Sequence, residues 1–289
     1  MTAGRFLVGA TVLGLLLASP SSAKEDDPAT RDAKAKVEFF DKHARRVKDD
    51  YKYAELVDEM KSTHHPVCAE RIARILKKEK DLEHHMMAAS ALGEFTRKEE
   101  GRLAAGAELH ELLDKRQKDF ETEVLETMVD SCGKLKYKPA VPVLCEMLLK
   151  GGDPYLLLMT VRAVGNIEDW RALPTLLELW ERHPVGYSWE TGEVKVDTGA
   201  AGTADQEAAE AAWQAKYGSA GPKGKPPVML RVYIQELVRA VHKITDDKKI
   251  EMPNDLRAWM EARREKMKEM GIEIPRFKGG SRAKEEEKQ

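Results

Sequence analysis

Five potential metal ligands lie close together in the first third of the chain. His64, His65 and Cys68 are followed by His84 and His85, and imidazole and thiolate groups are ligands that zinc and copper prefer. Adjacent histidines on a helix point about 100° apart, so at most one of each pair can face a common centre. We therefore favour histidines at helix ends and keep a metal site as the alternative.

A second pattern with catalytic associations occupies residues 194–200, Val-Lys-Val-Asp-Thr-Gly-Ala. It resembles the catalytic loop of aspartic proteases, in which two carboxylates share one proton. Such enzymes are rich in β-structure and need a second, matching Asp, whereas the rest of this sequence has helical periodicity. We interpret the segment as a strand that leaves a hairpin and enters a glycine turn.

An internal repeat in the sequence predicts the helices that would carry these residues. Residues 120–183 match themselves at an offset of 32, which aligns Gly133 with Gly165 and Pro142 with Pro174. Each copy predicts an apolar helix that stops at its glycine, a short turn and a second apolar helix. Two helices in each 30–45 residues are typical of an α-solenoid. The fold class we predict is all-α, an α–α superhelix.

The repeat is interrupted once. The segment 238–244 copies 161–167 at an offset of 77, which exceeds one period by about the length of residues 184–226. This stretch is therefore predicted to be an insertion: a β-hairpin turning at Thr191-Gly192, then an Ala-rich helix. Its aromatic residues either form the insertion's own core, which we favour, or bind a partner; they are Tyr187, Trp189, Trp213 and Tyr217.

The two ends of the chain differ from the repeats. Residues 1–23 contain an uncharged apolar run, Phe6 to Ala18, and the small residues Ser21 and Ala23, which predicts a signal peptide cleaved after Ala23. Because that run is shorter than the ~20 residues a spanning helix needs, a retained anchor is only the alternative. We expect a periplasmic or extracellular protein without stable membrane insertion.

Between the signal peptide and the tail we predict the following organisation. Residues 24–30 should be loose, and a first helix should cover 31–48. A single last helix should follow Pro253-Asn-Asp and stop at Gly271, with Met270 on the same side as Trp259. The predicted segments are capping helices and a degenerate repeat at 24–80, repeats at 81–183, the insertion at 184–226, a terminal repeat at 227–271 and a disordered charged tail at 272–289.

Charge and cysteine content exclude several classes. The chain has 48 Lys and Arg against 50 Asp and Glu, a net charge of −2, which disfavours a general nucleic-acid-binding protein. Three cysteines do not make a disulfide framework. A bridge between Cys132 and Cys145 is geometrically possible, but buried free thiols are the interpretation we favour. We expect no cofactor.

The repeat pattern of an apolar residue, Gly, any residue and a second apolar residue, followed by Ala-x-Pro-x-Leu, resembles the short, lyase-type HEAT repeat. The end of the chain, in which Lys243-Ile-Thr245 leads to a helix bearing Trp259, resembles exported bacterial HEAT-repeat proteins of the planctomycete kind. The resemblance covers about 82–183 and 228–270. It implies a protein-interaction or scaffolding role without catalytic residues.

We therefore expect a non-catalytic, protein-binding scaffold whose stacked second helices form the binding surface. The partner should be a protein, of a kind the sequence does not name. An alternative is an enzyme of the HEAT-like lyase sort or a small-molecule-binding protein that works in the solenoid groove. Its candidate acid–base groups are the charged residues that recur at repeat positions, Glu146, Glu178, Arg162 and Arg239.

Overall fold

A computed structural model of the protein describes residues 26–47, 49–181, 185–187, 194–196 and 228–275. These residues form an all-α architecture, as predicted. The α-helices within the described ranges are α1 Pro28–His43, α2 Asp50–Lys61, α3 Pro66–Lys78, α4 Leu82–Gly93, α5 Glu99–Arg116, α6 Thr122–Leu135, α7 Val141–Lys150, α8 Pro154–Ile167, α9 Leu173–Glu181, α10 Val228–Thr245, α11 Pro253–Glu261 and α12 Arg264–Glu269.

The helices pack in two layers. Each helix of one layer contacts the next member of the same layer, so that α2, α4, α6, α8 and α10 form the first-helix layer and α3, α5, α7, α9 and α11 form the second-helix layer. A continuous apolar core lies between the layers and runs the length of the stack. Val161 and Val238, the residues related by the offset of 77, are both fully buried, as are Trp180 and nearly all of Trp259.

Glycines bring the first helices close together. A Cβ atom on Gly133 would lie 2.8 Å from the Cα atom of Ala163, and one on Gly165 would lie 2.7 Å from the Cα atom of Ala240. The prediction that each helix stops at its glycine is wrong, because α6 and α8 continue two residues further. They end where Lys136 and Glu168 adopt the left-handed conformation, so the glycines serve the contact between helices rather than the helix end.

Both ends of the described chain also differ from the prediction. Helix α1 begins at Pro28, within the segment expected to be loose, because the Asp27 side chain accepts hydrogen bonds from the N–H groups of Ala29 and Thr30. It ends at His43. The predicted last helix is two helices, α11 and α12, and Met270 is 47% exposed, whereas Trp259 is 6% exposed.

Two short strands follow the second glycine repeat. β1 (Val185–Tyr187) pairs antiparallel with β2 (Val194–Val196), with Val185 opposite Val196. The turn between them and residues 197–227 lie outside the described residues. These three-residue strands do not establish the hairpin-plus-helix insertion, which stays a prediction.

Candidate binding surface

The four aromatic residues proposed as partner anchors are not brought together by the described part of the chain. Tyr187 lies in β1, while Trp189, Trp213 and Tyr217 lie outside the described residues. Whether they form a small core or bind a partner therefore stays a prediction.

The candidate metal ligands contact different groups in the N-terminal helices. His65 is the N-cap of α3, where its Nδ1 atom accepts from the N–H of Val67, and its Nε2 atom lies 3.1 Å from the hydroxyl of Thr30. Cys68 donates to the carbonyl of Ala33. Within the described ranges no three His, Cys, Asp or Glu side chains converge on a point that could hold a metal ion.

The second histidine pair packs against the α3–α4 connection. His84 stacks on Tyr53, with ring centroids 3.7 Å apart, and its Nδ1 atom lies 2.7 Å from the carboxylate of Glu79. His85 lies 2.9 Å from the backbone carbonyl of Glu79 through its Nε2 atom. Both rings therefore hold the turn before α4 through direct contacts.

All three cysteines are buried and free. Burial raises the pKa of the Cys132 thiol to about 12, and burial also raises the pKa of Cys68 and of Cys145. The thiols thus remain protonated near neutral pH and are poor nucleophiles and metal ligands.

The recurring charged residues considered for a lyase lie in two separate layers. Glu146 on α7 pairs with Lys150, and both side chains are 60% exposed. Glu178 lies on α9, in the same second-helix layer. Arg162 and Arg239 lie on α8 and α10 in the first-helix layer, so the four do not form one acid–base group.

Arg162 and Arg239 instead meet at Glu236. The Glu236 side chain is only 7% exposed and accepts a hydrogen bond from Arg162 at 3.1 Å and from Arg239 at 2.6 Å. A carboxylate so little exposed is stabilised only when it is paired. The pairing therefore fixes the positions of the two guanidinium groups on the surface of α8 and α10.

These residues line a shallow polar depression of about 190 Å³ on the first-helix layer. Asp130 of α6 lies on one side of it and Lys243 of α10 on the other, where its Nζ atom lies 2.6 Å from the side-chain oxygen of Asn166. Nearby on α6, burial and then the charges of Asp153 and Glu123 raise the pKa of Glu126. The acidic residues on α6 include Asp130, which pairs with Lys134 at 2.8 Å, whereas the charged groups that α8 and α10 present to the depression, apart from Glu236, are basic.

Sequence reasoning missed Glu236, because the offset of 77 aligns it with Met159. The sequence feature that could have indicated Glu236 is its spacing of three residues from Arg239, which places both side chains on one face of the helix.

No protein-family model and no curated protein matches the chain.

In the part of the chain that the structure describes, no helix combines the length and the apolar character needed to cross a membrane.

Proposed function

We propose that the chain is a non-catalytic, protein-binding scaffold of the HEAT-like solenoid class, exported to the periplasm or the cell exterior. The observation that carries the proposal is the pair of guanidinium groups on α8 and α10, held by the buried Glu236, beside the acidic side chains of α6. Charges fixed before binding lose little conformational entropy when a partner docks.

The first-helix layer is the side that we propose for partner binding. From α4 to α10 the contacts between neighbouring repeats are more extensive between first helices than between second helices, whereas at the N-terminal end α3 and α5 contact each other more extensively than α2 and α4 do. A stack curves toward the layer whose helices are more closely spaced, so we infer that the first helices line the inner face from α4 to α10. Concave surfaces of this kind are the ones that solenoids use for binding. A binding surface on the second helices stays the alternative prediction.

A charge exchange on this face tests the proposal. In the double variant Asp130→Lys and Lys243→Glu the net charge is unchanged, but the complementary pattern is reversed. The matched control is Glu146→Lys with Lys150→Glu, which reverses an exposed pair on the second-helix layer. Crosslinking and mass spectrometry in the native host would compare both variants with the unaltered chain.

We expect the unaltered chain and the control to crosslink to the same protein, and the first-helix variant to lose that crosslink. Circular dichroism spectra must match among the three proteins. Retention of the crosslink by the first-helix variant, combined with its loss on deletion of residues 186–224, would move the proposed surface to the insertion. Absence of any protein crosslink to the unaltered chain would contradict the scaffold.

A further inference from the structure

The face shared by α8 and α10 carries more positive charge than the equivalent face of α6. Two positions four residues apart recur on these first helices at the offsets of 32 and 77: Asp130 and Lys134 on α6, Arg162 and Asn166 on α8, Arg239 and Lys243 on α10. On α6 the two side chains neutralise each other in an ion pair at 2.8 Å. The same positions hold one positive charge on α8 and two on α10. The surplus charge therefore collects where α8 meets α10.

Two small residues form the floor of the depression between α8 and α10. Gly165 of α8 and Ala240 of α10 both line it, and a Cβ atom on Gly165 would lie 2.7 Å from the Cα atom of Ala240. Because neither residue carries a long side chain, the charged side chains on both sides enclose an open space of about 190 Å³. Liquid water occupies about 30 Å³ per molecule, so this space accommodates a single short polar side chain.

Polar contacts between α8 and α10 fix the cations around this space. Nη2 of Arg162 and Nη1 of Arg239 donate to the same atom, Oε1 of Glu236, at 3.1 and 2.6 Å. Four residues further along both helices, Nζ of Lys243 donates to Oδ1 of Asn166 at 2.6 Å. Three cations are therefore held side by side before any ligand arrives, which reduces the conformational entropy lost on binding.

Two of the fixed cations keep hydrogen-bond donors for a further acceptor. A guanidinium group has five N–H donors and an ammonium group has three. Arg162 directs one donor to Glu236 and one, at 3.9 Å, to the sulfur of Met159, while Lys243 directs one to Asn166. Their other donors have no partner among the described residues. The side chain of Arg162 is 40% exposed and Lys243 is exposed, so an acceptor that arrives from solution can reach both.

The charge of the lining side chains favours a carboxylate over a phosphate. The lining contains three cations and two carboxylates, Glu236 and Asp130, so one further carboxylate makes it neutral. A phosphate monoester carries about −1.5 to −2 at pH 7 and would leave an excess of negative charge beside Glu236. The planar guanidinium group also matches the two oxygen atoms of a carboxylate with two parallel N–H donors.

We propose that the depression between α8 and α10 receives an aspartate or glutamate side chain from an acidic segment of the partner protein. Arg162 and Lys243 donate hydrogen bonds to its carboxylate, and Arg239 adds positive charge beside it. This inference rests on the proposed scaffold function, in which a protein docks on the first-helix layer. It adds the chemistry of the side chain that the partner inserts.

Titration of the full chain with short peptides tests the carboxylate site without the natural partner. The probe is an acetylated and amidated peptide that contains a run of glutamates between glycines. A second peptide carries glutamines in their place and a third carries phosphoserines. Nuclear magnetic resonance of the arginine side-chain N–H groups follows binding at low ionic strength. We expect the glutamate peptide to shift the signals of Arg162 and to bind more tightly than the other two.

Two variants and a matched control locate the bound peptide. Arg162→Gln and Lys243→Gln should each weaken binding of the glutamate peptide at least about threefold, because each loses a charge-assisted hydrogen bond that solvent only partly screens. Lys243→Gln leaves Glu236 and both of its arginines in place, so its effect is separate from any effect on folding. Arg74→Gln removes the same charge from an exposed position on α3 and should bind as the unaltered chain does.

Three results would overturn the inference: equal binding of the glutamate and glutamine peptides, tighter binding of the phosphoserine peptide, or equal binding by Lys243→Gln and Arg74→Gln. None of them contradicts the scaffold function, because the crosslink in the native host is measured separately. Specific binding of the glutamate peptide by a chain that yields no protein crosslink would support the carboxylate site and contradict the scaffold function. The two failures are therefore distinguishable.

Discussion

Neighbouring repeats are joined in two regions of the molecule that use different physics. In the first-helix layer, Gly133 and Gly165 let one helix approach the backbone of the next, and the contact is buried. At the edge formed by the turns, the links are polar and largely exposed, such as the ion pair of Lys136 with Glu168. The buried contact fixes spacing because backbone atoms cannot yield, whereas long side chains at the edge can adjust.

The largest effect is expected from filling the buried contact. Gly165→Val should destabilise the protein by about 3 kcal/mol, because the nearest atoms are the Cα and Cβ of Ala240, at 2.7 and 2.8 Å from a new Cβ. The gain in helix propensity from replacing glycine is only a few tenths of a kcal/mol and does not offset this. Urea denaturation followed by circular dichroism measures the change.

Ala107→Val is the matched control, since Ala107 is an exposed position inside α5. It should cost no more than about 0.7 kcal/mol. Equal stability of Gly165→Val and the unaltered chain would show that the first helices can move apart, and the contrast between the two regions would fail.

This contrast also shows which parts of the fold were accessible from sequence. The offset of 32 aligned Gly133 with Gly165 because each repeat must satisfy the same close approach, so helix pairing and buried positions followed from the pattern. The role of the glycines did not follow from the pattern, because a glycine near the end of a helix is also typical of a helix stop. The terminal repeat does not keep this glycine: at the offset of 77, Gly165 aligns with His242, whose ring lies 2.8 Å from the carbonyl oxygen of Ile250.

The candidate sites were less predictable than the fold. His65 was considered as a helix-end residue, and its capping of α3 depends on local sequence. The Glu236 cluster depends on residues that meet only after stacking, since Arg162 and Glu236 are 74 positions apart in the sequence. Such pairs leave no local period in a single sequence.

An intermediate effect is expected at Asp169, in the turn between α8 and α9. The side chain is 8% exposed and binds Arg171 through both oxygens, while Arg171 also donates to the carbonyl of Lys138 in the preceding repeat. Asp169→Asn should cost about 2 kcal/mol at neutral pH, since a charge-assisted hydrogen bond is lost. The turn would thereby lose its link to the neighbouring repeat.

The pH dependence separates this charge effect from a change of shape. Burial raises the pKa of Asp169, but hydrogen bonds from Arg171 outweigh it and hold the pKa below its usual value of 3.8. A carboxylate with a lowered pKa stabilises the fold above its unfolded pKa and loses that contribution as the pH falls through the folded one. The difference between Asp169→Asn and the unaltered chain should thus be constant from neutral pH down to mildly acidic pH and shrink below 3.8. Asp114→Asn, at an exposed position of α5, is the control.

The smallest effect is expected at the exposed ion pair of Lys136 and Glu168. Their Nζ and Oε1 atoms are 2.8 Å apart, but the side chains are 55% and 47% exposed, so solvent and salt screen the attraction. A double-mutant cycle with Lys136→Gln and Glu168→Gln should give a coupling of no more than about 0.5 kcal/mol. Glutamine retains the side-chain length and adds no new constraint at these left-handed positions. The coupling should fall further at high salt. A salt-independent coupling as large as the cost of Gly165→Val would mean that the polar edge fixes the spacing of the repeats as firmly as the glycines do.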